Sequence, residues 1–162
     1  MDKNELIEKV SSVFGIAVLK TDETSDILTL TVDSDSIIPV IKFLKEQLGF
    51  NFLTDLCGIH YPNQELSLGV VYHMHNFVEN TRIRLKTFVS GTHPNVATAT
   101  NLFPAANWME RETFDFYGIL FDGHPNLKRI LNVDYLDYFP MRKEYPLEDP
   151  TRHDKDDRFF GR

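Results

Sequence analysis

The chain has 162 residues and sets 17 basic against 24 acidic side chains, a formal net charge of −7, which argues against nucleic acid as a main partner because phosphate binding needs a basic face. That length suits one domain with a single core; no apolar run approaches the roughly 20 residues that a bilayer span needs, so a membrane is reached only through a partner. Cys57 is the single cysteine; it cannot supply an internal disulfide, a cysteine-based zinc site or an iron–sulfur cluster, and its use fits a reducing compartment.

Residues 1–8 are charged and polar with no apolar stretch behind them, so no signal peptide is expected. Leu6, Ile7, Val10 and Phe14 recur at helical spacing and predict a helix over residues 4–14, stopped by Gly15. Residues 16–19 and 27–32 are short β-rich runs on either side of the polar stretch 21–26, which predicts a hairpin. Residues 33–36 offer helix N-caps, and Pro39 falls where a first helical turn tolerates it. Val40, Ile41, Phe43, Leu44 and Leu48 then form an apolar stripe that Gly49 ends. Residues 50–61 read as a strand stopped by Pro62. Residues 66–78 and 81–89 read as a hairpin turning at Glu79 and Asn80. In its second arm Ile83, Leu85, Thr87 and Val89 alternate with Arg82, Arg84 and Lys86, one face buried and one wet. A short helix is expected over residues 95–103, ending before Pro104.

From Met141 onward the chain changes character, with six Lys/Arg, six Asp/Glu and only Tyr145, Leu147, Phe159 and Phe160 as large apolar residues. Such a segment cannot bury enough area to fold alone. The expected architecture is α+β in two layers. A small mixed sheet of about five strands carries helices on one face; residues 1–140 form the compact domain and residues 141–162 an extended C-terminal tail that binds a partner or stays disordered.

Residues 107–131 pack charge and aromatic surface most densely. Glu110, Glu112 and Asp115 sit close together on one predicted helix and invite an acid–base interpretation. Local geometry offers them structural roles instead. Arg111 and Asp115 have the i,i+4 spacing of an ion pair, Glu110 follows Asn107 as in a capping box, and Glu112 is four residues from both Trp108 and Phe116. Pro125 suits the first position of a second short helix with Leu127, Ile130 and Leu131 facing inward. His73 and His75 share a strand face at a metal-ligand spacing that His60 could join, but no carboxylate is expected in matching register, and ordinary sheet histidines are the simpler account. Cys57, in an apolar run, reads as a buried inert thiol. No glycine-rich phosphate loop and no nucleophile elbow occurs, so dinucleotide binding and serine hydrolysis have no support.

Glu110-Arg111-Glu112, Asp115-Phe116-Tyr117-Gly118-Ile119, and Gly123-His124-Pro125 followed by Leu127-Lys128-Arg129-Ile130 together resemble a family signature. It is that of the C subunit of bacterial NADH:quinone oxidoreductase, respiratory complex I. The resemblance extends to Asp55-Leu56, Tyr61-Pro62, Val70-Val71-Tyr72-His73, Arg84-Leu85-Lys86, the lead-in Pro104 to Trp108, and Arg142-Lys143-Glu144-Tyr145-Pro146-Leu147, so it covers about residues 40–147. Tyr138-Phe139-Pro140 departs from the Gly-His-Pro of many members, and His60 stands where Asp is common.

The resemblance implies a cofactor-free structural and assembly subunit of the hydrophilic arm of a proton-pumping complex that passes electrons from NADH to quinone. FMN and iron–sulfur clusters would reside in partner subunits. The implied partners are a quinone-site subunit resembling a hydrogenase large subunit, together with iron–sulfur subunits. The implied location is peripheral, on the cytoplasmic side of the bacterial inner membrane. No catalytic, cofactor-binding or metal residue is expected in this chain. Trp108, Glu110, Arg111, Glu112, Asp115, Tyr117, His124, Lys128, Arg129 and Arg142 are the implied interface residues. The rivals are the equivalent subunit of a membrane-bound hydrogenase or of a plastid-type oxidoreductase, and a free-standing metalloprotein built on His60, His73 and His75.

Overall fold

The computed structural model describes residues 3–24 and 27–145. Strands β1 (Val18–Thr24), β2 (Ile27–Val32), β3 (Phe52–His60), β4 (Leu68–Asn76) and β5 (Thr81–Val89) form one mixed sheet in the order β1-β2-β5-β4-β3. Neighbours run antiparallel except β2 and β5. Helices α1 (Lys3–Phe14), α2 (Ile37–Leu48) and α3 (Ala106–Tyr117) make the second layer. This is the α+β, two-layer arrangement that the alternating and helical patterns predict.

The alternation along β5 builds the core. Ile83, Leu85 and Thr87 point inward, in register with Met74, Tyr72 and Val70 of β4. Leu28 and Leu30 of β2 extend the same face. Leu6 and Val10 from α1 close over it with Ile37, Val40, Ile41 and Leu44 from α2, and each such burial contributes about 1.5–3 kcal/mol. Pro39 lies in the first turn of α2, where its missing N–H costs nothing, and Gly49 closes the helix at φ 73°. β3 joins through a bulge between Leu53 and Asp55, so Leu53 and Leu56 both face inward although three residues apart. The same slip brings Asp55 opposite His73.

Three local expectations change. β1 runs on through the polar residues assigned to a turn, because they pair with β2 as far as Thr24 and Ile27. Residues 95–103 are not helical. Asn95–Ala97 forms β6, which pairs in parallel with β7 (Leu120–Asp122) and sets Val96 beside Phe121, both buried. The chain then turns, with Thr98 Oγ1 and Ala99 N–H donating to Glu110 and the Ala99 carbonyl accepting the Leu102 and Phe103 N–H groups. Residues 123–131 also form no helix, because the N–H groups of Ile130 and Leu131 point at Asp115 instead of at carbonyls four residues back.

The first residues of the expected tail lie on the domain. Met141 N–H donates to the Phe116 carbonyl, Arg142 Nε to the Tyr117 carbonyl at 2.7 Å, and Lys143 N–H to His60 Nδ1 at 2.9 Å. The rest of that segment, residues 146–162 with Leu147, Phe159 and Phe160, lies outside the described residues.

Candidate functional site

Asp115, near the C-terminal end of α3, is fully buried. Its carboxylate collects five donors. Oδ1 accepts from Arg129 Nη1 at 2.8 Å and Asn132 Nδ2 at 3.1 Å. Oδ2 accepts the backbone N–H groups of Ile130, Leu131 and Asn132 at 3.0, 2.8 and 2.8 Å. Burial alone would raise the Asp115 pKa, but the Asn132, Leu131 and Ile130 N–H groups and the Arg129 guanidinium outweigh it and hold the carboxyl well below the usual carboxylate range. The expected Arg111–Asp115 pair is therefore replaced by Arg129–Asp115. A carboxylate facing inward from α3 meets the returning chain, not a side chain one turn back on its own helix surface.

Arg129 extends the clamp, donating from Nη2 to the Leu136 and Tyr138 carbonyls at 2.7 and 3.1 Å. Arg111 donates to the Lys128 and Arg129 carbonyls at 3.1 and 3.0 Å. Two guanidinium groups lie over the Phe139 ring, Arg129 5.1 Å and Arg142 4.9 Å from its centroid. Its ring covers Gly118, which ends α3 at φ 74° and where any Cβ would collide with that ring. His124 accepts the Asn126 N–H on Nδ1 at 3.0 Å, which leaves Nε2 to donate to the Asn107 carbonyl at 3.0 Å.

Glu110 forms no capping box. α3 begins at Ala106, with Ala105 as N-cap and no side-chain cap bond. Glu110 is fully buried and accepts from Thr98 Oγ1 at 2.5 Å and Ala99 N–H at 2.7 Å. Burial pushes its pKa up to about 7 against those two bonds. It thus ties the β6–α3 connection to the inner face of α3.

The residues singled out from the sequence divide by placement. Glu110, Arg111, Asp115, Arg129, Arg142 and His124 bond within the chain, and the half-buried Tyr117 stacks over Gly58. Trp108 (59% exposed), Glu112 and Lys128 face outward. The segment after α3 also exposes Leu131 (66%), Val133, Tyr135 (86%), Tyr138 and Tyr145. Asn132, Phe139 and Thr98 complete the arrangement and were not singled out; the signal available for Phe139 is an aromatic residue with arginines ten before and three after it.

The histidines stand apart. His60 accepts the Lys143 N–H, and His75 Nε2 lies 3.4 Å from Asn80 Oδ1. His73 Nε2 accepts Arg84 Nε at 2.7 Å, with Asp55 3.8 Å from Nδ1. That carboxylate in register is contrary to expectation, and the β3 bulge places it there. Among the described residues no three His, Cys, Asp or Glu side chains gather closely enough to hold a metal.

A family model described as respiratory-chain NADH dehydrogenase, 30 Kd subunit, matches residues 30–151. The C subunit of NADH-quinone oxidoreductase from Citrifermentans bemidjiense shares 38% identity over 151 residues, covering 93% of this chain and 94% of that one. The protein of the same name from a Roseiflexus species is 40% identical over 149 residues, covering 91% and 86%. The trypsin-resistant fragment of Nqo5 superposes with a TM-score of 0.69 at 25% identity, over 78% of this chain and all of that one (100%). A chain of the membrane-bound sulfane sulfur reductase, an archaeal respiratory membrane complex, shares the fold, with a TM-score of 0.75 at 21% identity over 89% and 85%.

Proposed function

Because the chain belongs to the 30 Kd subunit family of respiratory-chain NADH dehydrogenase, we propose that it serves as a peripheral, hydrophilic-arm subunit of an NADH:quinone oxidoreductase and contributes a docking surface rather than a reaction centre. It holds no cofactor of its own; FMN and iron–sulfur clusters belong to its partners. Those partners are the quinone-site subunit that resembles a hydrogenase large subunit, and iron–sulfur subunits. The arm lies on the cytoplasmic face of the inner membrane, and this chain reaches that membrane through the complex. No helix among the described residues is long and apolar enough to cross it.

One observation carries this proposal. Among the described residues the Asp115 carboxylate gathers five donors that fix a coil, and that coil presents Leu131, Val133 and Tyr135 to solvent, while Trp108 of α3 is exposed as well. Large apolar side chains held rigidly outside are an interface feature, and pre-organising them lowers the ordering cost of association. Glu110 and Asp115, which invite an acid–base interpretation in the sequence, bond backbone groups of the same chain, and Asp115 holds the coil that forms that surface.

The test is affinity purification of the tagged chain from detergent-solubilised native membranes. Iron–sulfur subunits should co-purify. Trp108→Ala, at a site 59% exposed, should leave the melting temperature unchanged yet weaken retention by about 2 kcal/mol, as expected of an aromatic anchor. Recovery of the chain alone, or with stoichiometric zinc or iron bound to it, would overturn the proposal.

A further inference from the structure

A cleft of about 340 Å³ opens where the edge strand β3 meets α3. Leu56, Cys57, Phe116, Tyr117 and Met141 line it, together with the carboxylate residues Asp55 from β3 and Glu112 from α3. Its volume is at the small end of ligand sites and suits one long side chain.

The two carboxylates are short of cations. Glu112 makes no hydrogen bond or ion pair with any of the described residues and is exposed. Asp55 has His73 3.8 Å away. That ring, however, accepts the Arg84 N–H on Nε2, and burial together with the Arg84 charge lowers its pKa against the pull of Asp55, so the charged ring is disfavoured. Burial first, then Asp55 and more weakly Glu112, push the Cys57 pKa up to about 11, against the Arg84 charge, which lowers it. Two carboxylates therefore line one largely apolar cleft that no basic side chain among the described residues lines, Arg84 being bonded to His73.

We propose that this cleft receives a basic side chain, arginine or lysine, presented by a neighbouring subunit of the complex. Its methylene stem lies along Leu56, Phe116, Tyr117 and Met141, and its head sits between Asp55 and Glu112. Long cationic side chains bury the stem while keeping the head paired, and this geometry offers both surfaces. Apolar walls alone would admit any hydrophobic residue; the acids at the border select a cation and reject an acidic one. This proposal rests on the chain being a subunit of such a complex.

Cys57 supplies the readout. The native complex and the isolated chain are labelled with N-ethylmaleimide at pH 8.5, and modification of the Cys57 peptide is followed by mass spectrometry. Labelling in the wild-type complex should be at least roughly tenfold slower than in the isolated chain, the ratio that about 1.4 kcal/mol of occupancy produces. The variant Asp55→Asn/Glu112→Gln should lose most of that protection. The complex-to-isolated ratio is taken within each variant, so a thiol made more acidic by neutralising its neighbours cancels. If the variant no longer co-purifies while its isolated form melts like wild type, docking depends on these charges and the proposal is supported. Equal labelling in the wild-type complex and the isolated chain would show an empty cleft and overturn it. Protection that survives in the double variant would do the same, by showing an occupant not held by charge. Failure of the wild-type chain to co-purify at all is a separate result that removes the subunit assignment itself.

Discussion

Replacing Asp115 with alanine removes the acceptor for five donors at once, three of them backbone N–H groups. Arg129 is left with 10% of its side chain exposed and no carboxylate partner. Breaking a buried pair from one side costs about 3–5 kcal/mol, chiefly through the stranded charge. For a domain of this size that corresponds to a melting temperature lower by roughly 6–20 °C. The same loss has a local form, because α3 and the sheet need not unfold for the coil to lift away. Amide exchange at Ile130, Leu131 and Asn132 should then accelerate by about 10²–10⁴-fold, and trypsin should cut at Lys128 and Arg129 before anywhere in the sheet. Hydrogen exchange read by mass spectrometry, with thermal melting alongside, measures both. A variant that melts within about 2 °C of wild type with unchanged exchange at those three amides would show that Asp115 does not anchor the coil. The pH dependence has a defined sign. A pKa held below the unfolded value of about 3.9 gives stability that is present above that value and lost as pH falls through the depressed one. Wild type should therefore lose this contribution only in strong acid, and Asp115→Asn should show none of it.

Glu110 has the opposite sign: its folded pKa of about 7 lies above the unfolded carboxylate value, so its contribution is complete below about pH 4.3 and is lost as pH rises through 7. Glu110→Gln should flatten the denaturation midpoint between those limits, and a midpoint that keeps its wild-type slope would reject this assignment. Gly118→Ala places a Cβ at φ 74° and against the Phe139 ring and should cost about 2–4 kcal/mol. The control Gly15→Ala, at φ 40° with open space around it, should cost only about 1–2 kcal/mol, and equal losses in urea titrations would exclude the ring contact as the cause. Arg111→Glu removes both donors to the Lys128 and Arg129 carbonyls and should reduce assembly of the arm, measured by native gel electrophoresis, while Arg111→Lys retains part of it. Normal assembly with the reversed charge would remove Arg111 from the clamp.

Period-two and helical patterns were readable wherever a segment was long enough to bury one face. Ile83, Leu85 and Thr87 alternate with Arg84 and Lys86, and the sheet uses that alternation as written. The errors came where a partner lay far along the chain. Arg111 and Asp115 obey the local rule for an ion pair, yet Arg129, 14 residues on, wins because it approaches from the inward side of α3. Glu110 resembles a cap but bonds Thr98 and Ala99, 12 and 11 residues earlier. β6 spans three residues, too few for a periodicity to show. The charged-aromatic stretch was recognisable as important before its geometry was known. What could not be read was that most of its charges face backbone groups of the same chain, leaving Trp108, Glu112 and Lys128 to face outward.

The clamp also sets a birth order. Every donor to Asp115 lies 14–17 residues downstream of it, and Arg142 reaches back 25 residues to Tyr117. While the chain is being synthesised, α3 can pack on the sheet with its carboxylate still hydrated. The outward coil takes shape only after the segment through Arg142 has left the ribosome. A product truncated before Arg129 would hold a folded sheet yet lack the donors that fix the coil, and with them the surface proposed for docking.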